Sequence, residues 1–323
     1  MRHPAVSIVI PTYLRPMQLR NCLTAISTLN YDKSNFEVIV VDDGGDQDLK
    51  PLIQTFSDIN ISLVKQHNQG PATARNVGVS CAQGEIVAFT DDDCLPGENW
   101  LEALVKALES NHQRVVGGKI ENKLSENLCS QASQSITEYL YDFYALNHTE
   151  MRFFTTNNLA CFVDGFKESG GFCTQFFSNA SEDRDFCNRW LLAKKELCYA
   201  PEAIVEHAHE LSLHSFWRQH LNYGHGAYTF HRLRAEAQKK SLEIEPFSFY
   251  SNLIVSPFVK KLDNPTAVSI LIFVSQVANA AGFFMAHGKQ HLSVQQKRDS
   301  SSTVTFEFEG TKRSLELPAI SHS

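Results

Sequence analysis

Apolar runs of strand length alternate with helical patterns along the first 120 residues of the chain. The strand-like runs occupy residues 5–10, 36–41, 61–64, 86–90 and 115–120. Between them, apolar residues recur every three or four positions, which predicts helices over residues 16–29, 48–57, 71–81 and 98–109. Strands that alternate with helices indicate an α/β fold with a mostly parallel sheet.

After residue 120 the alternation loosens and the elements become more varied. The predicted elements are helices over residues 129–146, 181–194 and 212–240, strands over 155–162 and 197–199, and a β-hairpin over 303–317. The third of these helices contains Gly224 and Gly226, so we expect it to break there. The sequence assigns no function to the hairpin.

One long stretch, residues 264–288, contains no Asp, Glu, Lys or Arg and is long enough to cross a bilayer. Three polar residues recur within it near helical spacing: Ser269, Gln276 and Asn279. This polar stripe favours an amphipathic helix at a membrane surface or packed against protein over a true span. Lysines flank the stretch, where they can meet anionic headgroups: Lys260, Lys261 and Lys289. The alternatives are burial against the rest of the chain and a homo-oligomer interface.

Composition narrows the class of protein. The 323 residues fit one large domain or one domain with an appendage, and a hydrophobic content of 43% is ordinary for a globular chain. A net charge of −7 argues against nucleic acid as a partner. The eight cysteines form no C-x-x-C pair, which argues against a zinc site or a disulfide framework. Because the first residues also lack the apolar run of a secretory signal, we expect a cytoplasmic protein, at the inner face of the membrane if residues 264–288 meet lipid.

Polar clusters follow three of the predicted strands at the points where those strands end. The clusters are residues 11–15, Asp42-Asp43 and Asp91-Asp92-Asp93. Because ligands of such sheets bind beyond the carboxyl ends of the strands, we expect the clusters to share one crevice. Three adjacent carboxylates repel one another unless a cation neutralises them, and Mg²⁺ or Mn²⁺ takes oxygen ligands while leaving room for substrate phosphates. The alternative interpretation of each cluster is a solvated turn.

Several ordered motifs resemble those of the family 2 glycosyltransferases. The motifs are V-S-I-V-I-P-T-Y at residues 6–13, V-V-D-D-G at 40–44, A-R-N-x-G at 74–78, F-T-D-D-D at 89–93, G-G-F at 170–172 and E-D at 182–183. The resemblance covers about residues 5–230. It implies the GT-A fold, with a Rossmann-like, mostly parallel sheet and flanking helices, and transfer of a sugar with inversion from a nucleotide donor, usually a uridine diphosphate sugar. The acceptor would be a hydroxyl of a glycan, a lipid-linked molecule or a small molecule, as in the synthesis of cell-envelope polysaccharide or glycolipid.

The resemblance also implies a role for each matching residue. The nucleotide-side set would be Pro11, Thr12, Tyr13, Arg15, Asp42, Asp43, Arg75 and Asp92. The metal ligands, for Mn²⁺ or Mg²⁺ on the diphosphate, would be Asp91, Asp93 and His207. Asp183 would be the catalytic base, with Glu182 as its neighbour. Read without the family, Glu182 and Asp183 could also be acids at a helix start, and His207 a partly buried histidine.

Two departures from the family pattern narrow this interpretation. Cys94 stands where a fourth acid sometimes follows the metal motif. The Gln-x-x-Arg-Trp signature of processive synthases is absent, and this absence argues against polymer synthesis. We divide the chain into a catalytic domain over residues 1–240, with its nucleotide-binding half at 1–120 and its acceptor half at 121–240. Residues 241–323 form a C-terminal appendage with the apolar helix and the hairpin. The competing functions are a nucleotidyltransferase, which would carry a Gly-rich loop after the first strand, and a non-catalytic nucleotide-sugar or glycan-binding protein.

Overall fold

The computed structural model describes residues 5–109, 111–147, 151–176, 180–238, 245–293 and 302–317. Within these residues the strands are β1 (Val6–Thr12), β2 (Phe36–Asp42), β3 (Ile61–Gln66), β4 (Ile86–Phe89), β5 (Cys94–Pro96), β6 (Arg114–Asn122), β7 (Leu159–Phe162), β8 (Glu196–His207), β9 (Ser302–Phe308) and β10 (Thr311–Leu317). The helices are α1 (Pro16–Ser27), α2 (Lys50–Ile53), α3 (Pro71–Cys81), α4 (Trp100–Glu109), α5 (Leu128–Asn147), α6 (Val163–Glu168), α7 (Glu182–Leu192), α8 (Leu213–Gln238), α9 (Phe247–Val259) and α10 (Pro265–Ser293).

The described strands form one sheet in the order β10-β9-β3-β2-β1-β4-β7-β6-β8-β5. Strands β1 to β4 are mutually parallel wherever they pair, and the antiparallel pairs lie toward the two flanks. In β1, Val9 packs on the face covered by α3, whereas Ile8 and Ile10 pack on the face covered by α1 and α4. Burial on both faces explains why these strands read as continuous apolar runs, and the predicted α/β class is confirmed.

The structure corrects several predicted elements in detail. The expected strand over 155–162 starts as a 3₁₀ turn, Thr156–Asn158, and only Leu159–Phe162 pairs. The short strand at 197–199 is part of the longer β8, which bulges against β6 because Pro201 has no N–H for a ladder. Helix α2 is shorter than predicted, and β5 and α6 were not anticipated.

Helix α8 is continuous through its glycines, so the predicted break is wrong. A Cβ added at Gly224 would lie 2.0 Å from the carbonyl oxygen of Asn279 in α10. A Cβ at Gly226 would lie 2.4 Å from the carbonyl oxygen of Ala180, just before α7. Glycine is therefore required where other backbone crosses α8 closely, and it does not end the helix.

The segments after residue 240 attach to both sides of the sheet region. Helices α9 and α10 pack on α5 and α8 around Phe216, Leu253 and Ile272. The predicted hairpin is present as β9 and β10, and β9 pairs antiparallel with β3 so that Phe306 lies opposite Gln66. The division of the chain near residue 240 stays a prediction, and the hairpin after it extends the sheet of the nucleotide-binding half.

Candidate active site

One cleft of about 1340 Å³ opens at the carboxyl ends of β1 and β4 and is closed on its far side by α5, α8 and α10. Nearly all the residues singled out from the sequence line it: Pro11, Thr12, Tyr13, Arg15, Asp43, Arg75, Asp91, Asp92, Asp93, Glu182, Asp183 and His207. Asp42 does not line the cleft, and its Oδ1 accepts a hydrogen bond of 2.9 Å from the N–H of Gly45 in the turn after β2. The polar clusters from separate strand ends therefore share one crevice.

Asp43 organises the nucleotide side of the cleft. Its Oδ1 accepts hydrogen bonds from Gln66 Nε2 at 2.7 Å and from the N–H of Gln69 at 2.8 Å, and its Oδ2 accepts one from the N–H of Gly70 at 2.9 Å. Burial raises the pKa of Asp43 despite these donors. The carboxylate therefore fixes the segment that leads into α3, while its predicted contact with a base stays a prediction.

The three consecutive aspartates are each neutralised by a different set of neighbours. Asp92 accepts a 2.8 Å hydrogen bond from Thr12, and Arg15 lies 3.3 Å from Asp92 and 3.0 Å from Asp93. Arg75 lies 2.6 Å from Asp91. Burial, with the charge of Asp93 beside it, raises the pKa of Asp92 to about 7. The repulsion expected within the triplet is thus relieved by two arginines, which the sequence did not identify as its partners.

Asp93 and His207 form the closest pair of metal-ligand type in this cluster. His207 Nε2 lies 3.2 Å from Asp93 Oδ1. Burial opposes ionisation of Asp93, but the hydrogen bond and charge of His207 outweigh it and hold the pKa of Asp93 well below its usual range. Burial likewise opposes protonation of His207, yet its bond to Asp93 raises the pKa of that imidazole. Folding places the end of β8 beside the end of β4, since Cys94 pairs with His207 across β5 and β8.

A metal ion could be held at this pair. One ligand atom each from Asp93, Cys94 and His207 lies within 4.8 Å of the others. Cys94 is fully buried, and burial and the nearby aspartates raise the pKa of its thiol well above the usual range, so it is a poor ligand for a hard cation. A carboxylate oxygen and an imidazole suit Mn²⁺. The residues therefore fit such an ion, and Asp91, which the resemblance adds as a ligand, is engaged by Arg75.

Glu182 and Asp183 stand at the start of α7 and differ in their surroundings. Glu182 is buried and accepts a 3.1 Å hydrogen bond from Arg75, which thereby bridges it to Asp91. Burial and the charge of Asp183 raise the pKa of Glu182 to about 7. Asp183 is more accessible, it accepts a 2.7 Å hydrogen bond from the N–H of Arg184, and burial raises its pKa. Of the two acids, Asp183 is the one with a carboxylate oxygen available to the cleft.

For the far wall of the cleft, the sequence offered only Trp217, Arg218 and Tyr223 as residues of an acceptor groove, with burial in the core as the favoured alternative, and of these Arg218 and Tyr223 line the cleft. This wall carries Ser133 of α5, Gln219, His220 and Tyr223 of α8, and Gln276 and Asn279 of α10. Gln276 and Asn279 were recognised as a polar stripe without a direction, and only the packing of α10 on α8 shows that they face inward. Asn158, by contrast, is fully buried and holds the fold, because it accepts a bond from Trp100 and donates to the carbonyl groups of Lys119 and Ala203.

Curated relatives match parts of the chain. Glycosyltransferase AglE of Haloferax volcanii is 37% identical over 121 residues, which cover 36% of this chain and 40% of that protein. The pre-mycofactocin glycosyltransferase of Mycobacterium tuberculosis is 28% identical over 233 residues, which cover 70% of this chain and 47% of that protein. The chain thus aligns with less than half of the length of either relative.

Solved structures share the fold at low sequence identity. The mannosyltransferase PcManGT from Pyrobaculum calidifontis, in complex with GDP-Man and Mn²⁺, aligns with a TM-score of 0.56 at 19% identity over 92% of this chain and 82% of that chain. S. aureus TarS 1-349 in complex with UDP aligns with a TM-score of 0.51 at 16% identity over 97% of this chain and 99% of that chain. These similarities confirm the predicted fold of the GT-A type.

A match to a described family begins in β1 and ends at residue 177, before α7. The model of Glycosyl transferase family 2 matches residues 7–177, more than half of the 323 residues. It includes all three strand-end clusters that meet in the cleft. This chain therefore belongs to glycosyl transferase family 2, as the resemblance of its motifs predicted.

Proposed function

We propose that this protein transfers a sugar from a nucleoside diphosphate sugar to an acceptor hydroxyl with inversion at the anomeric carbon. The observation that carries the proposal is that Asp183 lines the same cleft as the aspartate triplet, while its neighbour Glu182 is joined to Asp91 through Arg75. A uridine donor is our first choice, since the TarS structure holds UDP, and the guanosine donor in the PcManGT structure makes GDP-mannose the comparison. The acceptor remains one of the three hydroxyl classes named from the sequence.

Departure of the nucleoside diphosphate builds negative charge on phosphate oxygens. Asp93 and His207 would hold a divalent cation, and Asp91 would be a further ligand if Arg75 released it. When bound, such a cation neutralises charge on the leaving diphosphate. Arg15 and Arg75 are the protein's own cations at the same place. Both guanidinium groups are therefore suited to hold phosphate oxygens by charge-assisted hydrogen bonds.

An acceptor hydroxyl is a weak nucleophile until a base takes its proton. Asp183 is the group for that step, because its pKa is raised and its carboxylate is not tied to Arg75. Glu182 would keep Arg75 in position. We assign one base and one displacement, which gives inversion, since a retaining double displacement would need a second, nucleophilic carboxylate. We further place the reaction in the cytoplasm at the inner face of a membrane, on the strength of the apolar helix α10.

A donor screen tests the proposal. Purified protein is incubated with UDP-sugars, GDP-mannose and other nucleotide sugars, with Mn²⁺, with Mg²⁺ or with chelator, and release of nucleoside diphosphate is measured. We expect release from at least one donor with metal and none with chelator. Release from no donor under any condition, in protein whose thermal unfolding shows a folded state, would exclude the proposed transfer.

A further inference from the structure

We propose that α9 and α10 form a docking surface for an anionic lipid bilayer, with α10 lying flat along it. We define the α9–α10 face by seven of the exposed apolar residues of these two helices: Val255, Phe258, Val259, Ile270, Phe273, Val277 and Phe284. The surface lies outside the cleft and takes no part in the proposed chemistry.

The first argument is the direction in which α10 presents its residues. Ile270, Phe273 and Phe284 are 59%, 56% and 71% exposed. The polar side chains point the other way, since Gln276 and Asn279 line the cleft and the hydroxyl of Ser269 donates to the carbonyl of Ile254. The inward side of α10 also carries apolar residues, Val268, Leu271 and Ile272, so the helix is apolar on both sides, whereas a helix on a water-facing surface keeps its apolar stripe inward only. The outer side of α10 is therefore suited to an environment other than water.

The second argument is the size and continuity of the face. Pro265–Gly288 has a mean hydropathy of 1.8, and only 33% of that window is buried within the protein. At 1.5 Å per residue the segment is about 36 Å long. Ile270 on α10 follows Ser269, which bonds to Ile254 beside the exposed Val255 of α9, so the apolar surface runs across both helices. Contiguous apolar patches of this kind mark interaction sites.

The packing of α10 on α8, with polar residues of α10 lining the cleft, favours a position along the bilayer over one across it. A Cβ added at Gly282 would lie 2.0 Å from the carbonyl oxygen of Leu221, so the backbones of α10 and α8 are in close contact. Ser275, about two turns before Gly282 on α10, is also fully buried. A helix fixed on one side to protein can meet lipid only along its other side, as interfacial helices do.

Charge selects anionic lipid among the possible occupants. Residues 264–288 contribute no acid to the face, Lys261 is exposed between α9 and α10, and Lys289 follows the uncharged stretch in the sequence. Lys260 is engaged by Glu138 and Asp142, and Asp263 directly precedes the uncharged stretch in the sequence. Acyl chains complement the apolar residues, and anionic headgroups complement the flanking lysines.

Vesicle flotation tests the proposal with the whole protein and no substrate. The probes are vesicles of phosphatidylcholine alone and vesicles of phosphatidylcholine with about a third phosphatidylglycerol, which gives the surface its negative potential. Both are used at low and at high salt. We expect the protein to float with the anionic vesicles at low salt. The double variant Phe273→Glu with Phe284→Glu should reduce the bound fraction at least tenfold, and Lys261→Glu should reduce it less. The matched control is Leu192→Glu, at an equally exposed apolar residue of α7, which should float as the unmodified protein does.

Three outcomes would overturn the proposal. One is protein that stays at the bottom of the gradient with both vesicle types. Another is equal flotation of the double variant and the Leu192 control. The third is a protein that light scattering shows to be a dimer, that does not float, and that becomes monomeric in the double variant, since the face would then be an interface between copies. Because the flotation experiment uses no substrate, its result can be interpreted even if the donor screen fails.

Discussion

The sharpest test of the catalytic assignment is Asp183→Asn. Asparagine keeps the side-chain oxygen that accepts the N–H of Arg184 but cannot take a proton from a hydroxyl. A positioned general base contributes about 10²–10⁴-fold to a rate, so we expect turnover to fall at least a hundredfold. Donor binding should change by no more than about threefold, because the lost chemistry is needed only in the transition state.

The competing explanation is lost stability at the start of α7, and its magnitude is too small. Asp183 lies in the first turn, where an acid contributes about 0.3–1 kcal/mol through the helix dipole. Such a change alters the folded fraction very little in a stable domain and does not act on the chemical step. Asp164→Asn is the matched control, since Asp164 is an exposed first-turn acid of α6 that does not line the cleft.

The assay measures the transfer rate across pH and the donor dissociation constant for the unmodified protein and both variants. A base works only when ionised, and burial raises the pKa of Asp183. The unmodified rate should therefore rise with pH on the acid side, and Asp183→Asn should lose that limb. A variant that keeps more than about a tenth of the rate, far above the range for loss of a general base, would refute the role of Asp183 and make Glu182 the next candidate.

Three further predictions follow from the site and the helix crossing. Asp93→Asn should weaken binding of a uridine nucleotide in the presence of Mn²⁺ at least tenfold, and chelator should weaken its binding to the unmodified protein as much. Calorimetry that finds both affinities unchanged would refute the proposed metal site. Folding raises the pKa of Glu182 to about 7, above its ordinary value of about 4.3. The folded state therefore binds a proton that the unfolded state has lost, and stability should fall as pH rises through this window. The melting temperature of Glu182→Gln should lack that part of the decline, and melting temperatures that fall in parallel with pH in both proteins would contradict the assignment. Gly224→Ala should destabilise the fold by about 1–3 kcal/mol through overpacking, whereas Gly288→Ala, where a Cβ meets nothing within 4 Å, should not; equal melting temperatures for the two variants would contradict the close crossing of α8 and α10.

The parts of the site that the sequence predicted are those set by local patterns. Continuous apolar runs placed β1, β2 and β4 in the interior of a sheet, and the rule for strand ends then brought Asp43 and the aspartate triplet to one crevice. Acids before an amphipathic segment indicated the start of α7. Each of these inferences needs only neighbours in the chain and the connectivity of an α/β sheet.

The parts that could not be predicted depend on partners far away in the sequence. Arg15 could be placed at a strand end, but its bonds to Asp92 and Asp93 depend on how β1 and β4 pair. Gly224 reads as a break until the carbonyl of Asn279 is seen against it. The spacing of polar and apolar residues along α10 predicts two faces but does not show which one points outward. That orientation depends on how α10 packs on α8 beside the cleft.

The hairpin that completes the sheet beside the nucleotide side of the cleft is among the last parts of the chain to be synthesised. Gln66, whose amide holds Asp43, lies opposite Phe306 of β9. Until residues 302–317 have left the ribosome, β3 is an open edge strand with unpaired backbone groups, which is a site for unwanted strand pairing. A fragment cut after residue 177, where the family match ends, or after 240 would keep that edge permanently. Expression of the nucleotide-binding half alone should therefore yield aggregating protein, and co-expression of the hairpin as a separate peptide offers a way to restore it.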